Sequence, residues 1–134
     1  MNPYQQFGTD RNLETNGVIL DYGDFKITVA RAGGSNKEYL KSLERKSKAL
    51  RRKIQTGNLS NEQANEVLLE VFADTVVKGW EGVCDKDGNL MTFNRENVLK
   101  LLTDLPELFR DIQNQASEVE LFREAQLKEE AGNS

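Results

Sequence analysis

Residues 60–76 read SNEQANEVLLEVFADTV. Ala64, Val67, Leu68, Val71, Phe72, Thr75 and Val76 recur at the i, i+3, i+4, i+7 spacing of one helix face. Glu62, Glu66, Glu70 and Asp74 climb another face at every fourth residue. Ser60 with Gln63 three positions on forms a capping box, and Leu59 is placed to staple the first turn against Ala64. Lys78-Gly79-Trp80 closes the helix. So regular an element sets the expectation of a mainly helical protein, which the flanking segments extend.

Upstream, Ser35 opens a helix with Glu38 as its box partner. Tyr39, Leu40, Leu43, Leu50 and Ile54 make a thin apolar stripe, the remaining positions are largely basic, and Gly57 is placed to stop it. Before Gly33-Gly34, Val18, Leu20 and Tyr22 alternate, as do Phe25, Ile27 and Val29. Two such runs around Tyr22-Gly23-Asp24 predict a β-hairpin. Its strands are short, so it must lie against helices to persist. Residues 1–16 show no period and are expected to form an extended, flexible arm.

Downstream, Asp85-Lys86-Asp87-Gly88-Asn89 lies between Val83-Cys84 and Leu90-Met91 and predicts a second, hairpin-like loop. Asn94 caps a brief helix carrying Val98, Leu99, Leu101 and Leu102. Pro106 then starts a last helix, a position where proline needs no partner for its missing N–H. That helix carries Leu108, Phe109, Ile112, Ala116, Val119 and Phe122. The predicted fold is α+β and predominantly α-helical. Amphipathic helices pack with a small N-terminal β-hairpin in one domain over 17–127, followed by a disordered tail over 128–134.

Composition narrows the chemistry. The 134 residues contain no histidine and one cysteine. That removes imidazole-based catalytic pairs, His-containing zinc sites, internal disulfides and cysteine clusters. No run approaches about 18 apolar residues, the length that would span a bilayer, and the N-terminus lacks the order of a secretory signal. A free thiol fits a reducing compartment, so a soluble cytoplasmic protein is expected. Charge is unevenly spread. Residues 35–56 carry eight basic and two acidic residues, whereas residues 57–134 carry seven basic and sixteen acidic ones, within a net charge of -4. A cationic helix beside an acidic remainder attracts either a polyanion or acidic protein surface.

Other constellations carry less. Asp85, Asp87, Asn89 and Glu96 imitate a calcium loop, but Leu90 stands where that loop needs glycine. Cys84 is expected to be a buried, inert thiol. Ala32-Gly33-Gly34-Ser35 lacks the spacing of a phosphate loop and reads as a linker. The carboxylates of 62–74 form a solvated face with nothing to raise a pKa. No catalytic, cofactor or metal residue is expected, and no enzyme activity.

Two long stretches, GVILDYGDFKITVAR continued by AGGSNKEY, and VVKGWEGVCDKDGNLMTFNRENVLKLLTDLPELFRDI from Val76 to Ile112, resemble the tail assembly chaperones of long-tailed, siphovirus-type bacteriophages. The order of LDYGDF, ARAGG, GWEGV, DKDGN, FNREN and LTDLPELF carries the resemblance over about residues 1–125. Leu90-Met91-Thr92 and Cys84 depart from the expected pattern. The resemblance implies a non-enzymatic factor that binds the tape measure protein in the host bacterial cytoplasm and keeps it soluble. It implies recruitment of tail tube protein, absence from the mature virion, and a frameshifted longer form in many such phages. Expected partner-binding residues are Lys41, Arg45, Lys48 and Arg52 on the basic helix, Glu66 and Glu70 on the acidic face, and Trp80 and Phe122. Self-association into rings or spirals is a further expectation from the charge asymmetry. The alternatives are a structural tail or head–tail component kept in the virion, and a small nucleic-acid-binding regulator; membrane partners are not expected.

Overall fold

The Tyr22 N–H donates to Phe25 O at 3.0 Å, and the Asp21 Oδ1 accepts from the Gly23 N–H at 2.8 Å. Gly23 sits at φ +93°, a conformation that suits glycine at a tight reversal. The turn folds β1 (Val18–Asp21) antiparallel onto β2 (Lys26–Val29), with Leu20 opposite Ile27 and both buried. The predicted hairpin is therefore present. The structure, a computed structural model, describes residues 2–55 and 61–123. The expected Ser60 cap, Leu59 staple, Gly57 stop, Ile54 contact and 128–134 tail lie outside the described residues or side chains.

The hairpin is part of a larger sheet. β3 (Val77–Glu81) pairs antiparallel with β2, giving the order β1-β2-β3 with Ile27 opposite Trp80 and Lys26 opposite Glu81. Lys78-Gly79-Trp80 thus continues as a strand rather than merely ending a helix. Five residues around a glycine have no internal alternation to announce a strand; the pairing comes from β2, some fifty residues earlier.

Two helices connect β2 to β3. α3 (Lys37–Gln55) begins one residue later than the Ser35 cap predicts. Gly33 and Asn36 make a turn instead, with the Asn36 N–H donating to Gly33 O at 3.0 Å. The buried Asn36 amide donates to Arg31 O and Thr75 O at 2.9 and 3.0 Å, fastening the start of α3 to the end of α4 (Asn61–Thr75). α4 buries Leu69, Val71, Phe72 and Thr75, while Ala64 is exposed. The expected stripe on α3 is also only partly covered, since Leu40 is 50% exposed. Ser42 is buried with an unpartnered hydroxyl. Ser42→Ala is therefore expected to hold or raise stability by up to about 1 kcal/mol, because it removes a polar group that folding strips of water without recompense. Denaturant midpoints check this, and a loss above about 1 kcal/mol would mean that the hydroxyl is satisfied in solution.

Asn94 caps α5 (Arg95–Asp104), its Oδ1 accepting from the Asn97 N–H at 2.8 Å, as expected. Leu105 ends that helix and Pro106 starts α6 (Pro106–Ala116). The predicted last helix is interrupted here. The Ala116 carbonyl is taken by the Ala32 N–H at 2.9 Å and Glu118 N bonds only three residues back, so the chain turns before residues 119–123 resume helical form. Phe72 stands at the centre of the core. It meets Tyr39 edge-on at 5.9 Å and Phe109 edge-on at 5.4 Å, joining α3, α4 and α6 over the inner face of the sheet.

The stretch 1–16, expected to be extended, contains α1 (Pro3–Phe7) and α2 (Arg11–Asn16). Asn2 and Gln5 form a reciprocal capping box, Pro3 takes the first turn, and Asp10 caps α2. These helices are too short to show a period, so only their caps mark them in the sequence. The α+β, predominantly helical fold class holds, with three strands in place of two.

Candidate functional site

Helical geometry puts Lys37, Lys41, Arg45, Lys48 and Arg52 in one row along α3, about 22 Å long at 1.5 Å per residue. All five are exposed. Lys46 points the other way, and its Nζ reaches Glu70 Oε2 on α4 at 2.8 Å. Lys48 has Glu44 at 3.6 Å. Among the described residues no carboxylate pairs with Lys41, Arg45 or Arg52. Beyond Ser42 on α3 and before Leu69 on α4, no described side chain is buried. The two helices therefore project from the body as a hairpin with a cationic outer edge.

The expected acidic residues lie on the same hairpin. Glu66 and Glu70 line a shallow cavity with Leu50, Gln63 and Val67 between α3 and α4. Glu70 is already held by Lys46, and Asp74 by Arg95 Nε at 2.6 Å. The acidic face is thus divided between internal ion pairs and the exposed Glu62 and Glu66.

Trp80 is half-buried on β3. Its Nε1–H donates to Met91 O at 3.0 Å and its ring meets Phe93 edge-on at 5.2 Å, so it pins the following loop to the sheet. Phe122 is 0% exposed. Buried in this way, Phe122 presents no surface to a partner in the folded chain, while its neighbour Leu121 packs against the core.

The loop after Trp80 is the predicted hairpin-like turn. Cys84 bridges Leu90, the Asp85 N–H donates to Asn89 O, and Asp85 Oδ1 accepts from the N–H groups of Asp87 and Asn89. That carboxylate is spent on the turn's own backbone. Cys84 is exposed, contrary to the expected buried thiol, because its partner Leu90 is itself 76% exposed and covers nothing. Between this loop and the end of α5 lies a groove of about 260 Å³, with Cys84, Met91, Leu101 and Leu105 as its apolar wall. Lys86, Lys100, Asp85 and Asp104 line its charged margin. Lys100 donates to Asp104 at 2.9 Å, and this hydrogen bond holds the Asp104 carboxyl below its usual value. Leu90, Phe93 and Leu105 remain exposed nearby. Their apolar side chains sit at element boundaries and belong to no helical period, the one sequence sign of such a groove.

A second cluster fixes the N-terminal helices. Glu14 on α2 is 1% exposed and is bound by Arg31 Nη1 and by Thr9 Oγ1, the latter at 2.9 Å. Burial works to raise the Glu14 pKa, but the hydrogen bonds from Arg31, Thr9 and Ser35 outweigh it and hold the carboxyl below its ordinary value. Ser35, expected to cap a helix, lies instead in the Gly33–Asn36 turn before α3. Gly34 is at φ +54°, and a Cβ there would run into the Glu14 and Arg31 side chains. The Ala32–Ser35 segment is therefore the seat of a buried ion pair as well as a linker. At the other end of the sheet, Tyr22 donates its hydroxyl to Asp111 Oδ2 at 2.7 Å. Burial, then that carboxylate, raises the phenol's pKa.

Among the described residues no helix is long and apolar enough to cross a membrane, and no group of three or more His, Cys, Asp or Glu is placed to hold a metal ion. No curated protein and no solved structure matches the chain. A family described as YdaY prophage protein matches residues 34–133, from the turn before α3 to beyond the last described residue. That match covers well over half of the sequence, and the chain is a phage-derived protein that belongs to the YdaY prophage protein family.

Proposed function

We propose that this protein is a phage tail assembly chaperone without enzymatic activity. It binds the tape measure protein in the host cytoplasm, keeps it soluble and helps recruit tail tube protein, and it leaves before the virion is finished. Its prophage family and the order of its sequence segments support this reading. The observation that carries it is the groove beside the exposed Leu90, Phe93 and Leu105.

A helical client presents apolar side chains at i, i+3 and i+4, and a groove of about 260 Å³ takes one large side chain at a time. Each such burial contributes about 1.5–3 kcal/mol, which makes a single contact weak and reversible. Many copies along one long client make the sum strong while each copy can still be displaced. That is the behaviour required of a factor that the tube protein must replace.

Mass spectrometry tests the transient role. The chain should be abundant in induced cells and missing from purified particles. Stoichiometric retention in particles would contradict the proposal and make the protein a structural tail component.

A further inference from the structure

We propose that the projecting α3–α4 hairpin docks onto a second copy of this chain, its cationic row seated against the acidic turn end of the neighbour's sheet. The inference does not rest on the chaperone reading. The strand register defines the two ends of the sheet. Asp21, Lys26 and Glu81 lie across one end, next to Asp24 in the turn, and Val18, Val29 and Val77 lie across the other. The chain leaves the Val29 end to enter α3, whose start is fastened to Arg31 and Thr75. Asp21, Asp24 and Glu81 are exposed, with Lys26 as the one cation among the strand residues of that end. The cationic hairpin and the acidic end thus lie at separate places on the chain, and among the described residues no carboxylate pairs with Lys41, Arg45 or Arg52 of the row. Contact between copies neutralises both.

Such a contact joins two different surfaces, so it is heterologous and continues from copy to copy as a ring or an open chain. The charges supply register and attraction, and the half-exposed Leu40 beside the row supplies apolar area. A nucleic-acid partner is the less favoured use of the row. The chain is acidic overall, with a pI of about 5.0, and the one aromatic residue of α3, Tyr39, is turned inward against Phe72.

Sedimentation velocity on the full chain tests the proposal, at about 50 mM and about 0.5 M salt, where screening lengths differ severalfold. One variant reverses the row (Lys41→Glu, Arg45→Glu, Arg52→Glu), and the other reverses the end (Asp24→Lys, Glu81→Lys). All of these side chains are exposed, and circular dichroism confirms that each variant folds. The wild type is expected to associate at low salt and to weaken at least tenfold at high salt. Each variant alone is expected to be monomeric, and an equimolar mixture of the two should associate again, because each then offers the surface the other lacks. A monomeric wild type at low salt overturns the proposal, as does undiminished association of either variant or a mixture that stays monomeric. Should the row instead retain a single-stranded oligonucleotide while the chain stays monomeric, it belongs to a polyanion and the proposal fails. If only the single change Arg45→Glu yields folded protein, its low-salt association must still fall severalfold. None of these outcomes bears on whether the chain binds a tape measure protein.

Discussion

Phe72→Ala is expected to lower the unfolding free energy by about 3–5 kcal/mol, the range for deleting a fully packed aromatic side chain. Phe72 is fully enclosed and holds Tyr39 and Phe109 edge-on, so its loss leaves a cavity where three helices meet. Domains of this size are stable by only about 5–15 kcal/mol, which makes the change a large fraction of the total. The thermal midpoint should fall by about 10–20 °C. Leu40→Ala, on the half-exposed side of α3, should cost at most about 0.5 kcal/mol and serves as the control. Urea titration checks both. A cost below about 1 kcal/mol for Phe72→Ala would mean that the three helices are not organised around that ring.

Arg31→Met carries the second large effect, about 3–5 kcal/mol at neutral pH, because it leaves the Glu14 carboxylate buried without its cation. The pH dependence separates this from lost packing. In the wild type the folded pKa of Glu14 lies below its unfolded value, so the stabilisation is present above the unfolded value and is lost as pH falls through the folded one. In the variant the Arg31 hydrogen bond and charge are gone and Thr9 and Ser35 alone oppose burial, so the pKa rises from its wild-type folded value. The carboxylate then contributes less than in the wild type at neutral pH, and the deficit fades as it is protonated. The stability difference between wild type and variant should therefore shrink on going from about pH 7 to about pH 4. Equal differences at both values would show that the methylene stem of Arg31, not its charge, is what matters.

Elements whose stabilising contacts lie close in sequence were legible; those assembled from distant segments were not. The hairpin over 18–29 shows because its alternation and its glycine turn are local. The Asn94 cap and the Pro106 start show for the same reason. β3 does not, since Val77–Glu81 acquires strand geometry only beside β2. The Ser35–Glu38 box pointed to a helix start that the structure moves to Lys37, because a turn from Gly33 to Asn36 and the Asn36 amide's bonds to Arg31 O and Thr75 O fix the entry instead. The same split runs through the surfaces. The row Lys41, Arg45, Lys48 and Arg52 follows from helical spacing alone and is exposed as that spacing implies. The groove by Leu90 and Leu105 is made by a loop standing against the end of α5, and the pattern of neither segment shows it. Phe122 continued the helical period of α6, yet the break at Ser117–Glu118 and its complete burial place it in the core.

The most direct measurement is co-expression with the tape measure protein of the same prophage, reading the soluble fraction of that client. The wild-type chain should raise it several-fold, and a Leu90→Asp, Leu105→Asp variant, changed only at two exposed side chains, one lining the groove and one beside it, should fold but raise it little. A client that stays equally insoluble with and without the wild-type chain would contradict the account.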